Sequence, residues 1–181
     1  YVEKHYGEGD GKGKRILNPV TEVTMDENSY MEMEMVQIKG VDSTQRMTKA
    51  DLAAGAKLII RERLLTHGDQ HAESGFVVNL NGEDSSANVI SRSVAKNHST
   101  QVFNAEINGN AKCAGHSECD AIIMDHAKIS AIPKIVANDI DAALIHEAAI
   151  GKIAGEQLIK LMTLGLTEQE AEAQIVNGFL K

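Results

Sequence analysis

Residues 112–123, with the sequence KCAGHSECDAII, contain both cysteines of the chain, Cys113 and Cys119, with His116 midway between them. Thiolate sulfur and imidazole nitrogen bind zinc and iron, although zinc sites favour a fourth ligand and closely spaced cysteine pairs. On a strand, the two cysteines can share one face while His116 points to the other. The stretch is therefore open to four interpretations: a metal site, a disulfide, a reactive thiol, or two buried core residues.

The two cysteines have different sequence surroundings. Cys113 lies in the apolar-leaning segment NAKCAGH, which favours a core position because free cysteine is among the most buried residue types. Cys119 is predicted at a turn beside Glu118 and Asp120, whose negative charges would raise the pKa of its thiol. A raised pKa argues against a resting nucleophile. It leaves Cys119 available as a thiolate ligand for iron, whose charge favours deprotonation.

A second pair of donors, His146 and Glu147, lies in the segment LIHEAAIG. Adjacent residues of a strand face opposite ways, so these two side chains converge only where the strand is distorted. The zinc-protease pattern H-E-x-x-H is not completed, because residue 150 is isoleucine. Four other histidines stand in turn-like sequence and are predicted at the surface: His67, His71, His98 and His126.

No motif of a complete enzyme site occurs in the sequence. The Gly-rich residues 7–13, GEGDGKG, complete neither the P-loop nor the dinucleotide-binding pattern, and we expect a solvated turn there. The nucleophile elbow G-x-S-x-G is also missing. The motifs therefore give no support for catalysis by this chain.

Bulk properties exclude several classes of partner. The net charge of −8, without any basic cluster, argues against binding to nucleic acid or to an anionic membrane surface. No apolar run reaches the roughly 20 residues of a transmembrane helix, and no signal-peptide pattern is recognisable. Two cysteines do not make a disulfide framework, so we expect a reduced, cytoplasmic protein.

The elements that position these residues are predicted to be short strands. Between residues 58 and 150, apolar segments alternate with turn-forming Asn, Gly and Asp, a pattern typical of a sandwich, a barrel or a β-solenoid. An aromatic content of only 3% and strands that are apolar on both faces favour the solenoid. NVISRS and KCAGHS lie 24 residues apart and suggest the length of one coil. Further upstream, Met31, Met33 and Met35 alternate with glutamates, which predicts a strand with one buried face.

The end of the sequence changes to a helical pattern. Residues 155–165 predict a helix that ends at Gly165. A second helix is predicted to begin after Thr167, with Glu170 completing a capping box and Asn177-Gly178 ending it. Its apolar face is formed by Ala171, Ile175 and Phe179. We therefore divide the chain into a β domain, residues 1–152, and a helical segment, residues 153–181.

Several segments together resemble the SufB/SufD family, scaffold proteins of the SUF iron–sulfur cluster assembly system. They are HSECD, HEAAIGKI, GEQL and LGLTEQEAEAQIVNGF, with SRSVAKNHSTQVFNAEINGNA and VEKHYG further upstream. The resemblance implies a mainly β fold, a right-handed parallel β-helix followed by short C-terminal α-helices. The chain is shorter than the longer members of the family, and it carries features of both paralogues.

The resemblance also implies a function for particular residues. Cys119 corresponds to the thiol on which the family builds a transient iron–sulfur cluster, Glu147 to an acidic residue beside it, and His146 to a functional histidine. Cys113 would be a core residue or a secondary ligand. The chain would be a non-catalytic scaffold that docks an ABC-type, SufC-type ATPase on residues 153–181. It would dimerise through the β-helix, as a homodimer or with a SufB/SufD paralogue.

Two alternatives to this function stay open at the level of sequence. One is a structural subunit of the SUF complex without cluster ligands of its own. The other is a β-helix enzyme acting on polysaccharide, against which the scarcity of aromatic residues for sugar stacking counts.

Overall fold

The computed structural model describes residues 1–8 and 14–181 and contains two parallel β-sheets followed by two helices. Most of the predicted Gly-rich turn, residues 9–13, lies outside the described residues. The chain passes from one sheet to the other and back in successive coils. The predicted class, a parallel β-helix followed by short helices, is therefore confirmed. Neither of the helices combines the length and the apolar character needed to cross a lipid bilayer.

The described residues form twelve strands, six in each sheet, and these strands make up the coils. Sheet 1 contains, in spatial order, β1 (Val2–Tyr6), β4 (Tyr30–Lys39), β6 (Lys57–Thr66), β8 (Ser86–Ala95), β10 (Ala114–Ile123) and β12 (Ala143–Gly151). Sheet 2 contains β11 (Lys128–Ala137), β9 (Thr100–Gly109), β7 (His71–Leu80) and β5 (Ser43–Leu52), and β5 also pairs with β2 (Ile16–Leu17) and β3 (Val20–Met25). Every pair of neighbours is parallel, as coiling in one sense requires.

One coil takes 28 or 29 residues, because Ile59, Asn88, His116 and Ile145 stand at the same level of successive coils. The predicted spacing of 24 residues is wrong. Inward and outward side chains alternate along a strand with a period of two. An error of four residues in the coil length therefore still aligns inward residues with inward residues, and the alternation alone cannot reveal the error.

The core lies between the two sheets and is filled by the inward residue of each pair. Met33 and Met35 of β4 are fully buried, as their alternation with glutamates predicts. Phe76 and Phe103 supply two rings whose centroids lie 5.7 Å apart. The rest of the core is aliphatic or sulfur-containing, and both cysteines belong to it. The core is therefore formed mainly by stacked rungs of small and branched side chains.

The turns between strands repeat from coil to coil. Asn97 and Asp125 occupy equivalent turn positions and both have left-handed backbone, with φ of 60° and 57°. Asn and Asp tolerate this conformation better than other non-glycine residues. The Asn97 side chain accepts a bond from the Gly68 amide at 3.0 Å, and the Asp125 carboxylate accepts one from the Asn97 amide at 2.9 Å. Each turn thereby fixes the next one in the stack.

The helices are α1 (Gly155–Thr163) and α2 (Glu168–Phe179). Gly165 follows α1 with a φ of +96°, and Thr167 and Glu170 form the predicted capping box. Asn177-Gly178 does not end α2 as predicted. The helix continues to Phe179, because this turn packs with the following Leu180 against Val94 and its neighbours on the outside of sheet 1. In contrast, α1 has no buried residue.

Candidate functional site

The candidate residues lie on the neighbouring strands β10 and β12. In the register of these strands, Ser117 stands beside His146, Glu118 beside Glu147, and Cys119 beside Ala148. Ser117 and Cys119 are buried and point into the solenoid, so His146 shares their inner face. Glu147 lies on the outer face of the same sheet. The regular strand thus separates His146 from Glu147, and no distortion brings them together.

Cys119 lies in the middle of strand β10, and its predicted position at a turn is wrong. Its side chain is 1% exposed. Burial, followed by the charges of Glu62 and Asp120, raises the pKa of the Cys119 thiol to about 12. The predicted effect of neighbouring acids therefore holds for Asp120, but the larger contributions come from burial and from a residue of another coil. At neutral pH the thiol keeps its proton.

A buried ion pair between Arg46 and Glu62 crosses the interior from β5 to β6. The two side chains are 2% and 1% exposed. Ser74 and Ser91 donate hydroxyl bonds to the two oxygens of Glu62 at 2.5 Å and 2.6 Å. Within the described chain, Arg46 Nε and Nη1 have no hydrogen-bond partner. This pair was not predicted from the sequence, although the alternation in KLIIRERLLT already places Glu62 on the same face as Ile60 and Leu64.

A polar row leads from this ion pair to the candidate thiol. Glu62, Ser91 and Cys119 occupy the same position on the adjacent strands β6, β8 and β10. Ser91 is the residue between them and bonds to the carboxylate. This alignment explains why the charge of Glu62 raises the pKa of Cys119 from another coil.

Cys113 precedes β10 and packs in the hydrophobic core, where it is 5% exposed. Burial raises the pKa of its thiol. Both cysteines are free, so the disulfide interpretation finds no support.

His146 is half-buried on the inner face. Its Nδ1 atom and the hydroxyl of Ser117, its neighbour in register, are both buried without a hydrogen-bond partner among the described residues. Buried polar atoms are usually hydrogen-bonded. The inner face beside Cys119 therefore presents two unsatisfied polar atoms.

The outer face of the same two strands carries a group of oxygen and nitrogen donors. One ligand atom each of His116, Glu118 and Glu147 lies within 4.8 Å of the others. His116 Nε2 lies 3.5 Å from Glu147 Oε2, and His116 Nδ1 lies 3.0 Å from the side-chain oxygen of Asn88. The proximity of His116 and Glu118 to Glu147 was not predicted from the sequence. The correct coil length would have indicated this proximity, because a repeat of 29 residues places Glu118 beside Glu147.

The four histidines that were predicted at the surface do not join either group. His67, His98 and His126 are exposed, as predicted, and the last two stack with ring centroids 5.3 Å apart. His71 belongs to strand β7, not to a turn, and its Nδ1 lies 2.8 Å from the Thr100 hydroxyl.

The fold and the site define a class of protein, a parallel β-solenoid with thiol, imidazole and carboxylate donors on adjacent strands near one end. The family model "SUF system FeS cluster assembly, SufBD core domain" matches residues 12–179. The chain belongs to this SufBD family.

Individual relatives agree with this assignment. An iron–sulfur cluster assembly SufBD family protein of Methanocaldococcus jannaschii is 32% identical over 182 residues, which cover 99% of this chain and 57% of the relative. One of Archaeoglobus fulgidus is 31% identical over 167 residues, covering 91% and 45%. One of Pyrococcus horikoshii is 38% identical over 120 residues, covering 65% and 27%. The chain thus spans between about a quarter and three fifths of the length of these relatives.

Proposed function

We propose that this chain is a cytoplasmic, non-catalytic scaffold on which a transient iron–sulfur cluster is assembled. The observation that carries the proposal is the concentration of donors on β10 and β12 in a chain of the SufBD family. Thiolate, imidazole and carboxylate groups are all ligands of iron.

Cys119 is the proposed thiolate ligand, and His146 is its proposed partner on the inner face. A thiol with a pKa of about 12 is protonated at neutral pH, so iron must displace the proton as it binds. Access comes from the end of the solenoid. Among the described strands of sheet 1, only β12 lies beyond Cys119, and there the neighbouring residue, Ala148, is small and exposed.

Glu147 keeps its proposed role as a carboxylate ligand for incoming iron on the outer face of the same strand. It lies beside Ala148, the residue in register with Cys119. Cys113, packed in the core before β10, is at most a secondary ligand in this proposal.

The proposed partner is a SufC-type ATPase that docks on the helical segment. The apolar side chains of α1 support this, because Ile159 and Met162 are 63% and 43% exposed, and Leu164 after the helix is 75% exposed. Such a group of exposed apolar residues is typical of an interaction surface. Replacing Ile159 and Leu164 by lysine should abolish binding of the ATPase while α2 stays packed on sheet 1. Unchanged binding would contradict docking at α1.

Dimerisation through strand β12 is the second proposed interaction. Among the described strands, β12 has β10 as its only neighbour in sheet 1, which leaves the backbone groups of its other edge free for pairing. Ile145 and Ile150 on this strand are 56% and 40% exposed. The proposed partner at this edge is a second copy of the chain or a SufB/SufD paralogue.

A second candidate function is a structural subunit of the SUF complex without cluster ligands. The burial of Cys119 and its pKa of about 12 favour this alternative, because both oppose a thiolate at neutral pH. The two candidates differ only in whether the chain itself holds iron and sulfide.

Anaerobic reconstitution tests the scaffold function. The purified chain and the ATPase are incubated with ferrous iron and sulfide, repurified, and mixed with an apo-ferredoxin. We expect a visible chromophore on the chain and its transfer to the ferredoxin. A wild-type chain that acquires no more iron and sulfide than the double variant Cys113→Ala/Cys119→Ala would contradict the scaffold and leave the structural subunit.

A further inference from the structure

We propose that His116, Glu118 and Glu147 form a binding site for a single divalent transition-metal ion on the outer face of sheet 1. The site has no thiolate ligand and is separate from Cys119, which lies on the inner face of the same sheet. It adds His116 and Glu118 to the functional residues. Because it stands on the geometry of the outer face, it does not depend on the proposed cluster assembly.

The first argument is the short distance between donors from two different strands. His116 and Glu118 are two residues apart on β10 and therefore project from the same face. Glu147 is the residue beside Glu118 on β12. Their ligand atoms lie within 4.8 Å of one another, a spacing that one ion can bridge after small side-chain rotations.

The second argument is the orientation of the imidazole ring. The side-chain oxygen of Asn88 lies 3.0 Å from His116 Nδ1 and can accept a hydrogen bond from it. A proton held on Nδ1 leaves the lone pair on Nε2, the atom that faces Glu147 at 3.5 Å. Metal-binding histidines commonly use their other nitrogen in this way, which fixes both the tautomer and the direction of the ring.

The third argument is the charge pattern along the row of side chains that contains Glu118. From β4 to β12 this row reads Glu34, Arg61, Ile90, Glu118 and Glu147. Its first pair has opposite charges, whereas Glu118 and Glu147 are like charges side by side. Such a pair is destabilising unless a cation lies between them.

Other charged groups near this pair do not remove its excess of negative charge. Asp120 lies on the same face of β10 as Glu118, and its negative charge adds to that of the pair. Arg92 opposes it, but this residue stands beside Asp120 in register, not beside Glu118. Ile90 separates Glu118 from Arg61. A divalent ion would compensate the remaining charge.

The donor set indicates which ions fit. One imidazole nitrogen and two carboxylates suit Fe²⁺, Co²⁺, Mn²⁺ or Zn²⁺, and three protein ligands leave coordination positions for water. The side chains of His116 and Glu147 are 30% and 67% exposed, so an ion can enter directly from solvent. A soft ion that requires thiolate would not be selected here.

Titration of the full chain with Co²⁺ alone, without sulfide, tests the site. Calorimetry should show one ion per chain, and the cobalt absorption should lack a thiolate charge-transfer band. His116→Ala and Glu118→Gln should each weaken binding by at least about tenfold, as loss of metal-site residues commonly does. A matched control, Glu34→Gln, removes an outer carboxylate of the same row and should bind as the wild type does.

Two results would overturn the proposal. One is a wild-type chain that binds no Co²⁺ more tightly than the His116→Ala variant. The other is binding that is lost in Cys119→Ser and kept in Glu118→Gln, together with a thiolate band. Reconstitution with iron and sulfide is scored separately on Cys119→Ala, so failure of the outer site and failure of the scaffold function are distinguishable.

Discussion

Cys119 and Glu147 lie on opposite faces of the same β-sheet, on adjacent strands and one register position apart. The thiol points into the packed interior, whereas the carboxylate points to solvent. A single rigid site therefore cannot use both as ligands of the same iron while β12 keeps its register. The contributions of Cys119 and Glu147 to iron binding should therefore be independent.

The first prediction concerns the pH dependence of stability that arises from Cys119. The pKa of its thiol is about 12 in the folded chain, against 9.0 for an ordinary cysteine. Between these values the unfolded chain loses a proton that the folded chain keeps, so the free energy of unfolding falls as the pH rises. The slope from this group approaches about 1.4 kcal/mol per pH unit.

Urea unfolding of the wild type and Cys119→Ala at pH 8, 9.5 and 10.5 measures this effect. The stability advantage of the wild type over Cys119→Ala should be constant up to about pH 8 and shrink above it. An advantage that does not change between pH 8 and 10.5 would show that the thiol is not held protonated by the fold.

The second prediction concerns the buried ion pair of Arg46 and Glu62. Replacing Glu62 by leucine leaves the Arg46 charge buried without compensation and should lower the free energy of unfolding by about 3–5 kcal/mol. The double variant Arg46→Met/Glu62→Leu removes both charges and should regain most of this loss. Denaturant unfolding of the wild type and of both variants measures these differences in the free energy of unfolding.

An exposed ion pair of the same sheet supplies the control for this prediction. Arg61 lies 3.2 Å from Glu32 at the surface. Arg61→Ala should cost less than about 1 kcal/mol, as is usual for exposed pairs. If Glu62→Leu lowers the free energy of unfolding no more than Arg61→Ala does, the loss of Glu62 does not leave an uncompensated buried charge on Arg46, and the prediction is wrong.

The third prediction concerns Glu118 in the metal-free chain. Burial and the neighbouring Asp120 raise the pKa of Glu118 above its usual 4.5. A carboxyl whose pKa is raised by folding opposes the folded state once it is ionised. Glu118→Gln should therefore stabilise the metal-free chain at pH 7, by about 0.2–1 kcal/mol.

The pH dependence of that gain distinguishes charge from packing. Well below pH 4.5 the carboxyl of the wild type is protonated in both states, and the gain should disappear. Glu34→Gln serves as the control and should not stabilise, because Glu34 faces Arg63 at 3.8 Å. A gain from Glu118→Gln that persists at low pH would assign the effect to something other than charge.

The fourth prediction concerns the packing of one turn on the next. A β-carbon added to Gly82 would lie 2.0 Å from the amide nitrogen of Ala54 and 2.5 Å from the carbonyl carbon of Ala53. These are backbone atoms of the adjacent coil and cannot rotate away. Gly82→Ala should therefore destabilise the solenoid by about 1–3 kcal/mol or more.

Gly178 in α2 provides the opposite case. A β-carbon there meets no atom within 4 Å. Gly178→Ala should stabilise the chain by roughly 0.5–1 kcal/mol, because alanine is the better helix former. Thermal unfolding of both variants compares the two positions, and equal effects would refute the stacked-turn contact.

The β-solenoid could be predicted from the sequence because its signals are local. The alternation around Met33 and Met35, the turn residues and the capping box of Thr167 and Glu170 each depend on neighbours in the chain. The register between coils is not local. An alternation with a period of two does not change when the coil length is wrong by four residues. With the wrong coil length, the pairing of Glu118 with Glu147 could not be predicted.

The relative positions of the candidate residues could not be predicted from the sequence. Cys119, His146 and Glu147 lie on adjacent strands, but the strands divide them between two faces. The surroundings of Cys119 depended on Glu62, a buried carboxylate contributed by another coil. Sequence neighbours alone suggested a turn at HSECD because Glu118 and Asp120 are polar, whereas in the strand both simply point outward.

The most direct test of the account is the iron and acid-labile sulfide content of the anaerobically reconstituted chain in three variants. We predict that Cys119→Ala loses the cluster and that Cys113→Ala keeps it. Glu147→Ala should retain the chromophore in lower yield, because it affects only the outer face. A chain in which Cys119→Ala retains the wild-type content of iron and sulfide would contradict the assignment of the thiolate ligand to the inner face of β10.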